Sequence, residues 1–145
     1  MRKTKTDPLI PTMLLILLLV VGLAILWLGV IKMAHDRFGP PTASLTHFQR
    51  WSYGLRLLVA QDDLLTPASF GEGEKGFNIP AGASVTSVAM ALESNGLITD
   101  WRAFRYYIIY KGFDTAIKAG DFYLSPSMTA IEIADAIQSA YSEVV

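Results

Sequence analysis

The chain has 145 residues, a formal net charge of −1 and no cysteine, and 52% of its residues are hydrophobic. The lack of cysteine excludes a disulfide framework, thiol catalysis, lipidation of a lipobox cysteine and cysteine-based zinc sites. From Phe77 onward four basic residues (Arg102, Arg105, Lys111, Lys118) stand against seven acidic ones (Glu93, Asp100, Asp114, Asp121, Glu132, Asp135, Glu143), so no basic stripe is available for a phosphate backbone and nucleic acid is not an expected partner.

Residues 1–8 carry Arg2, Lys3 and Lys5, and no formal charge follows until Lys32. Met13–Ile31 is almost wholly aliphatic, and about 20 such residues at roughly 1.5 Å each match a hydrocarbon layer of about 30 Å. The segment is apolar on every face, unlike a buried helix of a soluble protein. It is longer than the usual core of a secretory signal peptide, and Lys32-Met33-Ala34-His35-Asp36 lacks an A-x-A cleavage pattern. The expectation is an uncleaved signal anchor over 9–33 that crosses a bilayer once. Three bases precede it and only Lys32 and Arg37 follow closely, which places the N-terminus in the cytoplasm and the remainder outside. Trp27 and Lys32 are expected at the membrane–water interface.

Residues 34–76 read as a connector. Gly39-Pro40-Pro41 stops the membrane helix. An amphipathic helix is predicted over about 45–65, from Phe48, Trp51, Leu55 and Leu58 recurring at three- and four-residue steps. One reading lays this helix on the membrane with Trp51 and Tyr53 as interfacial anchors, and another packs its apolar face on the following domain. Residues 66–76 are rich in Gly, Pro and small polar residues and read as a flexible loop.

Residues 77–145 read as a small domain. Phe77–Ile79 is a short strand ended by Pro80. Ser84 caps a helix with Val85, Val88, Ala89 and Leu92 on its buried face, and Gly96 ends it. Thr99 or Asp100 caps a second helix that buries Trp101, Phe104, Tyr107 and Ile108 and ends at Lys111-Gly112. Asp121–Leu124 suits a second strand. Thr129-Ala130-Ile131-Glu132 is a capping box opening a third helix with Ile133, Ala134, Ile137 and Tyr141 inward. The fold class is therefore α+β, one transmembrane helix followed by strand, helix, helix, strand and a C-terminal helix.

That order resembles LysM domains, which bind N-acetylglucosamine-containing wall glycans. The phrases FNIPAG (77–82), LESNGLITDWRAF (92–104), KAGDFYLSPSM (118–128) and TAIEIADAI (129–137) resemble the LysM-like N-terminal module of the YceG-like endolytic lytic transglycosylases. The resemblance implies an anchor in the cytoplasmic membrane of a bacterium and peptidoglycan as the partner outside. In that family a larger catalytic domain follows, with a glutamate as general acid/base. This chain stops at Val145, so no residue is aligned with that glutamate and no catalytic residue is assigned. The expectation is a module that is non-catalytic as it stands. Alternatives are an interaction subunit of a larger membrane assembly, or a fragment of a complete transglycosylase.

Glu132 is accounted for by the capping box, while Glu72, Glu74, Glu93 and Glu143 read as surface carboxylates. His35 and His47 lack a third ligand at a recognisable spacing, so neither a metal nor a cofactor is expected. Sugar rings stack their apolar faces on flat side chains, which makes aromatic residues the candidates for glycan contact. Tyr106 and Tyr110, four apart on one helix, are expected to form an exposed strip, and Tyr123 joins them from the second strand.

Overall fold

A computed structural model describes residues 9–71, 73–115 and 117–139. The apolar run forms one helix, α1 (Leu9–Phe38), of 30 residues. It extends five residues past the expected end at 33, because Lys32–Arg37 contains no residue that breaks a helix. Gly39, at φ +79, ends it, its N–H donating to the His35 carbonyl at 2.9 Å, and Pro40-Pro41 prevents resumption.

The amphipathic stretch forms two helices rather than one, α2 (His47–Val59) and α3 (Gln61–Leu65). Thr46 opens α2 with a reciprocal capping box: its hydroxyl accepts from Gln49 N at 3.3 Å, and Gln49 Oε1 accepts from Thr46 N at 2.9 Å. The chain kinks at Ala60, so that α2 lies on α1 and the domain while α3 turns toward the last helix. Leu57 of α2 and Leu64 of α3 are both 0% exposed.

The α1–α2 pairing is parallel. Trp27 meets Trp51, Ala34 meets Gly54, and Arg37 Nη1 donates to Gln61 Oε1 at 3.2 Å, so both helices advance in the same direction. The loop Gly39–Thr46 must therefore run back along α1 before α2 begins. A Cβ on Gly54 would stand 3.0 Å from the Ala34 Cβ, so these two small residues permit the helices' close approach.

The remaining order is as expected. Strand β1 (Lys75–Ile79) pairs antiparallel with β2 (Gly120–Leu124), matching Phe77 to Phe122 and Asn78 to Asp121. Between them lie α4 (Val85–Ser94) and α5 (Trp101–Lys111), and α6 (Ala130–Ser139) follows. Ser84 caps α4, accepting from Ser87 N at 3.1 Å, and of the two candidates for α5 Asp100 is the cap, accepting from Arg102 N at 2.6 Å. In α6 the Glu132 carboxylate accepts from Thr129 N at 2.7 Å while Thr129 Oγ1 accepts from Glu132 N at 3.2 Å. Ile133, Ala134 and Ile137 point inward; Tyr141 lies outside the described residues.

One core gathers Phe77 and Ile79 from β1, Phe122 and Leu124 from β2, and the inner faces of α4, α5 and α6. Phe38, Leu57 and Leu64 belong to that same core. The end of α1 and the connector helices are thus packed parts of the domain.

Candidate functional site

Strand alternation sends every second side chain of β1 and β2 outward. Phe77, Ile79, Phe122 and Leu124 face the core, which leaves Gly76, Asn78, Asp121 and Tyr123 on the other face. Asn78 Nδ2 donates to Asp121 Oδ1 at 2.6 Å across the strands. Tyr123 sits opposite Gly76, which has no side chain to cover its ring, and it is 75% exposed. A bare aromatic face thus lies beside an amide–carboxylate pair. Beyond Asn78, a cleft of about 260 Å³ opens between β1 and α4, lined by Phe77, Asn78, Pro80, Ala83, Ser87, Val88 and Ala91.

Flat aromatic surface next to fixed polar groups can stack the apolar face of a ring and hydrogen-bond its substituents. The Asn78–Asp121 pair was not singled out from the sequence. Period-two alternation in both strands places each residue outward, but only the antiparallel register brings the two together.

The expected strip of Tyr106 and Tyr110 does not form. Tyr110 is 1% exposed, because the return loop after α1 packs over this part of α5. Its hydroxyl donates to the Gly39 carbonyl at 3.2 Å, its own carbonyl accepts from Thr42 N at 2.8 Å, and burial raises its pKa. Tyr106 is half-buried against Tyr53 of α2, ring centroids 6.0 Å apart, with the Arg56 guanidinium 5.0 Å from the Tyr106 ring. Tyr53, one of the expected interfacial residues, is half-buried in this packing. Tyr123 is the one of the three tyrosines that is open to solvent.

At the other end of the molecule Trp27 and Trp51 stack face to face, centroids 4.8 Å apart and planes within 4°. Phe48 flanks both, at 6.3 and 6.2 Å, and is 63% exposed. Trp51 Nε1 is buried with no hydrogen-bond partner. The large side chains from Leu9 to Val20 are 55% to 71% exposed, so α1 leaves the protein as a bare apolar rod long and hydrophobic enough to cross a membrane. Lys32 is exposed on its polar final turns.

Two glutamates have structural partners: Glu132 in the capping box and Glu93, whose carboxylate accepts from Trp101 N at 3.2 Å. Glu72 and Glu143 lie outside the described residues.

Residues 77–145 match the model of the YceG-like family. A 51-residue stretch is 41% identical to an endolytic murein transglycosylase of Bacillus subtilis (strain 168), which amounts to 35% of this chain and 14% of that protein. No solved structure matches the chain. The resemblance to the YceG-like family carried by the phrases between Phe77 and Ile137 is borne out by both findings.

Proposed function

We propose, from the premise that residues 77–145 form a YceG-like segment, that the chain is a single-pass protein presenting a LysM-like module to peptidoglycan outside a bacterial cytoplasmic membrane. The order of two helices between paired antiparallel strands supports the LysM-like reading. Three bases before α1 support an N-terminus on the cytoplasmic side. The action of residues 77–145 in this reading is recognition: a sugar ring stacks on Tyr123 while Asn78 and Asp121 exchange hydrogen bonds with its substituents. The observation that carries this reading is the uncovered Tyr123 ring beside that polar pair, within the matched segment.

Co-sedimentation of the full chain, in mild detergent, with insoluble peptidoglycan tests it. Retention above a control membrane protein is expected, and Tyr123→Ala should weaken it roughly five- to tenfold, the equivalent of about 1 kcal/mol. No retention of the unmodified chain would sink the binding claim.

A second reading, docking on a membrane protein partner, draws on the apolar outer side of the connector, where Val59 and Phe70 are almost fully exposed. Stoichiometric co-purification that is lost in Val59→Ser would favour it.

A further inference from the structure

We infer that Trp27, Phe48 and Trp51 form an aromatic collar seated in the headgroup layer, so that the hydrocarbon ends near Leu26 and the last third of α1 stands outside the bilayer as a splinted stalk. The inference rests on the reading of α1 as a membrane span and adds where the membrane stops.

The parallel packing of α2 on α1 sets the level. Gly54 meets Ala34, so His47, seven residues earlier on α2, stands level with Trp27, seven residues earlier on α1. The Trp51 ring reaches back to stack on Trp27, and the first turn of α2 lies beside the stretch of α1 that starts at Trp27 rather than beside its end. That turn carries Thr46, His47, Gln49 and Arg50, and the Arg50 guanidinium donates to the Leu45 and Ala43 carbonyls at 3.0 and 3.3 Å. These polar groups and the irregular loop before them cannot sit in hydrocarbon, where open backbone groups go unsatisfied. The boundary therefore lies on the N-terminal side of this turn. Leu9–Leu26 is 18 residues, about 27 Å of helix, close to the thickness the layer requires. Trp is the residue that settles where apolar and wet regions meet. Beyond Trp27 one apolar turn (Leu28–Ile31) remains before the polar residues Lys32, His35, Asp36 and Arg37, and the small face of α1 at Ala34 is covered by Gly54.

The far end of the stalk is fastened to the domain. Lys111 Nζ and the Tyr110 hydroxyl donate to the carbonyls of Phe38 and Gly39, and Phe38 is buried in the core. Val59 lies 12 residues beyond His47 on α2, about 18 Å further from the bilayer.

The test uses the full chain in phosphatidylcholine–phosphatidylglycerol vesicles carrying brominated lipids labelled either near the headgroup or near the chain ends. Variants keep one of Trp27, Trp51 and Trp101 and replace the other two by Phe; a fourth lacks all three and bears Leu18→Trp. Trp27 and Trp51 should be quenched several-fold more by the shallow label, Trp101 by neither, and Leu18→Trp by the deep label. If Trp51 is as unquenched as Trp101, or is quenched most by the deep label, while Leu18→Trp responds to the deep label, the span stands and the collar is overturned. If Leu18→Trp responds to neither label, the span itself fails and the collar with it. Nitroxides on His47→Cys and Val59→Cys, both exposed positions in a chain without cysteine, read the same depth with the stacked rings intact. The label at position 47 should report the headgroup layer and the label at 59 bulk water; an aqueous signal at both would overturn the collar.

Discussion

Gly112 sits just past α5 with φ +78, a conformation that an L side chain adopts at a cost of roughly 1–2 kcal/mol. A Cβ there would also stand 2.6 Å from Thr42 Oγ1 on the return loop. Gly96, after α4, has φ +68 but nothing near its missing Cβ. Gly96→Ala should therefore cost about 1 kcal/mol, and Gly112→Ala at least about 2 kcal/mol, by denaturant unfolding. Equal losses at the two sites would mean that the contact with Thr42 contributes nothing. Tyr107 has its own signature. Burial, reinforced by the nearby Asp135 carboxylate, raises its pKa from 10.0 to about 12. Because the folded value is the higher one, its contribution is fully present below pH 10 and is lost as the pH rises toward 12. Alkaline unfolding in that window should be partly relieved in Tyr107→Phe, followed by circular dichroism and tyrosinate absorbance.

At the scale of elements, local chemistry made most of residues 77–139 readable. Ser84, Asp100 and the Thr129–Glu132 pair each cap the helix they precede, and Gly96 and Gly112 end theirs, because caps and turns act through neighbours a few residues away. Thr129→Ala should accordingly cost about 1 kcal/mol of stability. The connector was harder to read. Its apolar period was visible, but the kink at Ala60 answers to different partners, since α2 packs on α1 and α5 whereas α3 packs chiefly on α6 and only at its margin on α5. No local pattern announces that division. The glycan-site candidates divide along the same line: strand alternation leaves Tyr123 outward, whereas the burial of Tyr110 depends on a loop some seventy residues earlier in the chain and has no local signal. Leu57→Ala, in what reads as a linker, should cost about 2–5 kcal/mol, as a fully buried leucine does, and a loss below 1 kcal/mol would show that α2 is not part of the core.

For the whole molecule, the shared core changes what counts as the folding unit. Phe38, Leu57 and Leu64 fill the same interior as the strands and the last three helices, so residues 77–145 alone would leave apolar surface uncovered. A fragment of residues 34–145 should unfold cooperatively at a distinctly higher temperature than one of residues 77–145, measured by circular dichroism. Equal midpoints would mean that the matched segment is self-sufficient. The match to the YceG-like family begins at Phe77, so sequence similarity and the physical core have different boundaries.

On the proposed reading of α1 as a membrane span, its fastening to α5 also bears on geometry in the plane of the membrane. A helix that enters a domain through a flexible joint lets that domain swivel, and every side of it samples every direction. Here Lys111, Tyr110 and Thr42 tie the exit of α1 to the domain, and the Trp27–Trp51 stack ties it again lower down. Two attachments along one rod suppress rotation about its axis. The compass bearing of Tyr123 is then set by which side of α1 faces its lipid or protein neighbours, and any spin of the anchor turns the outer sheet face through the same angle.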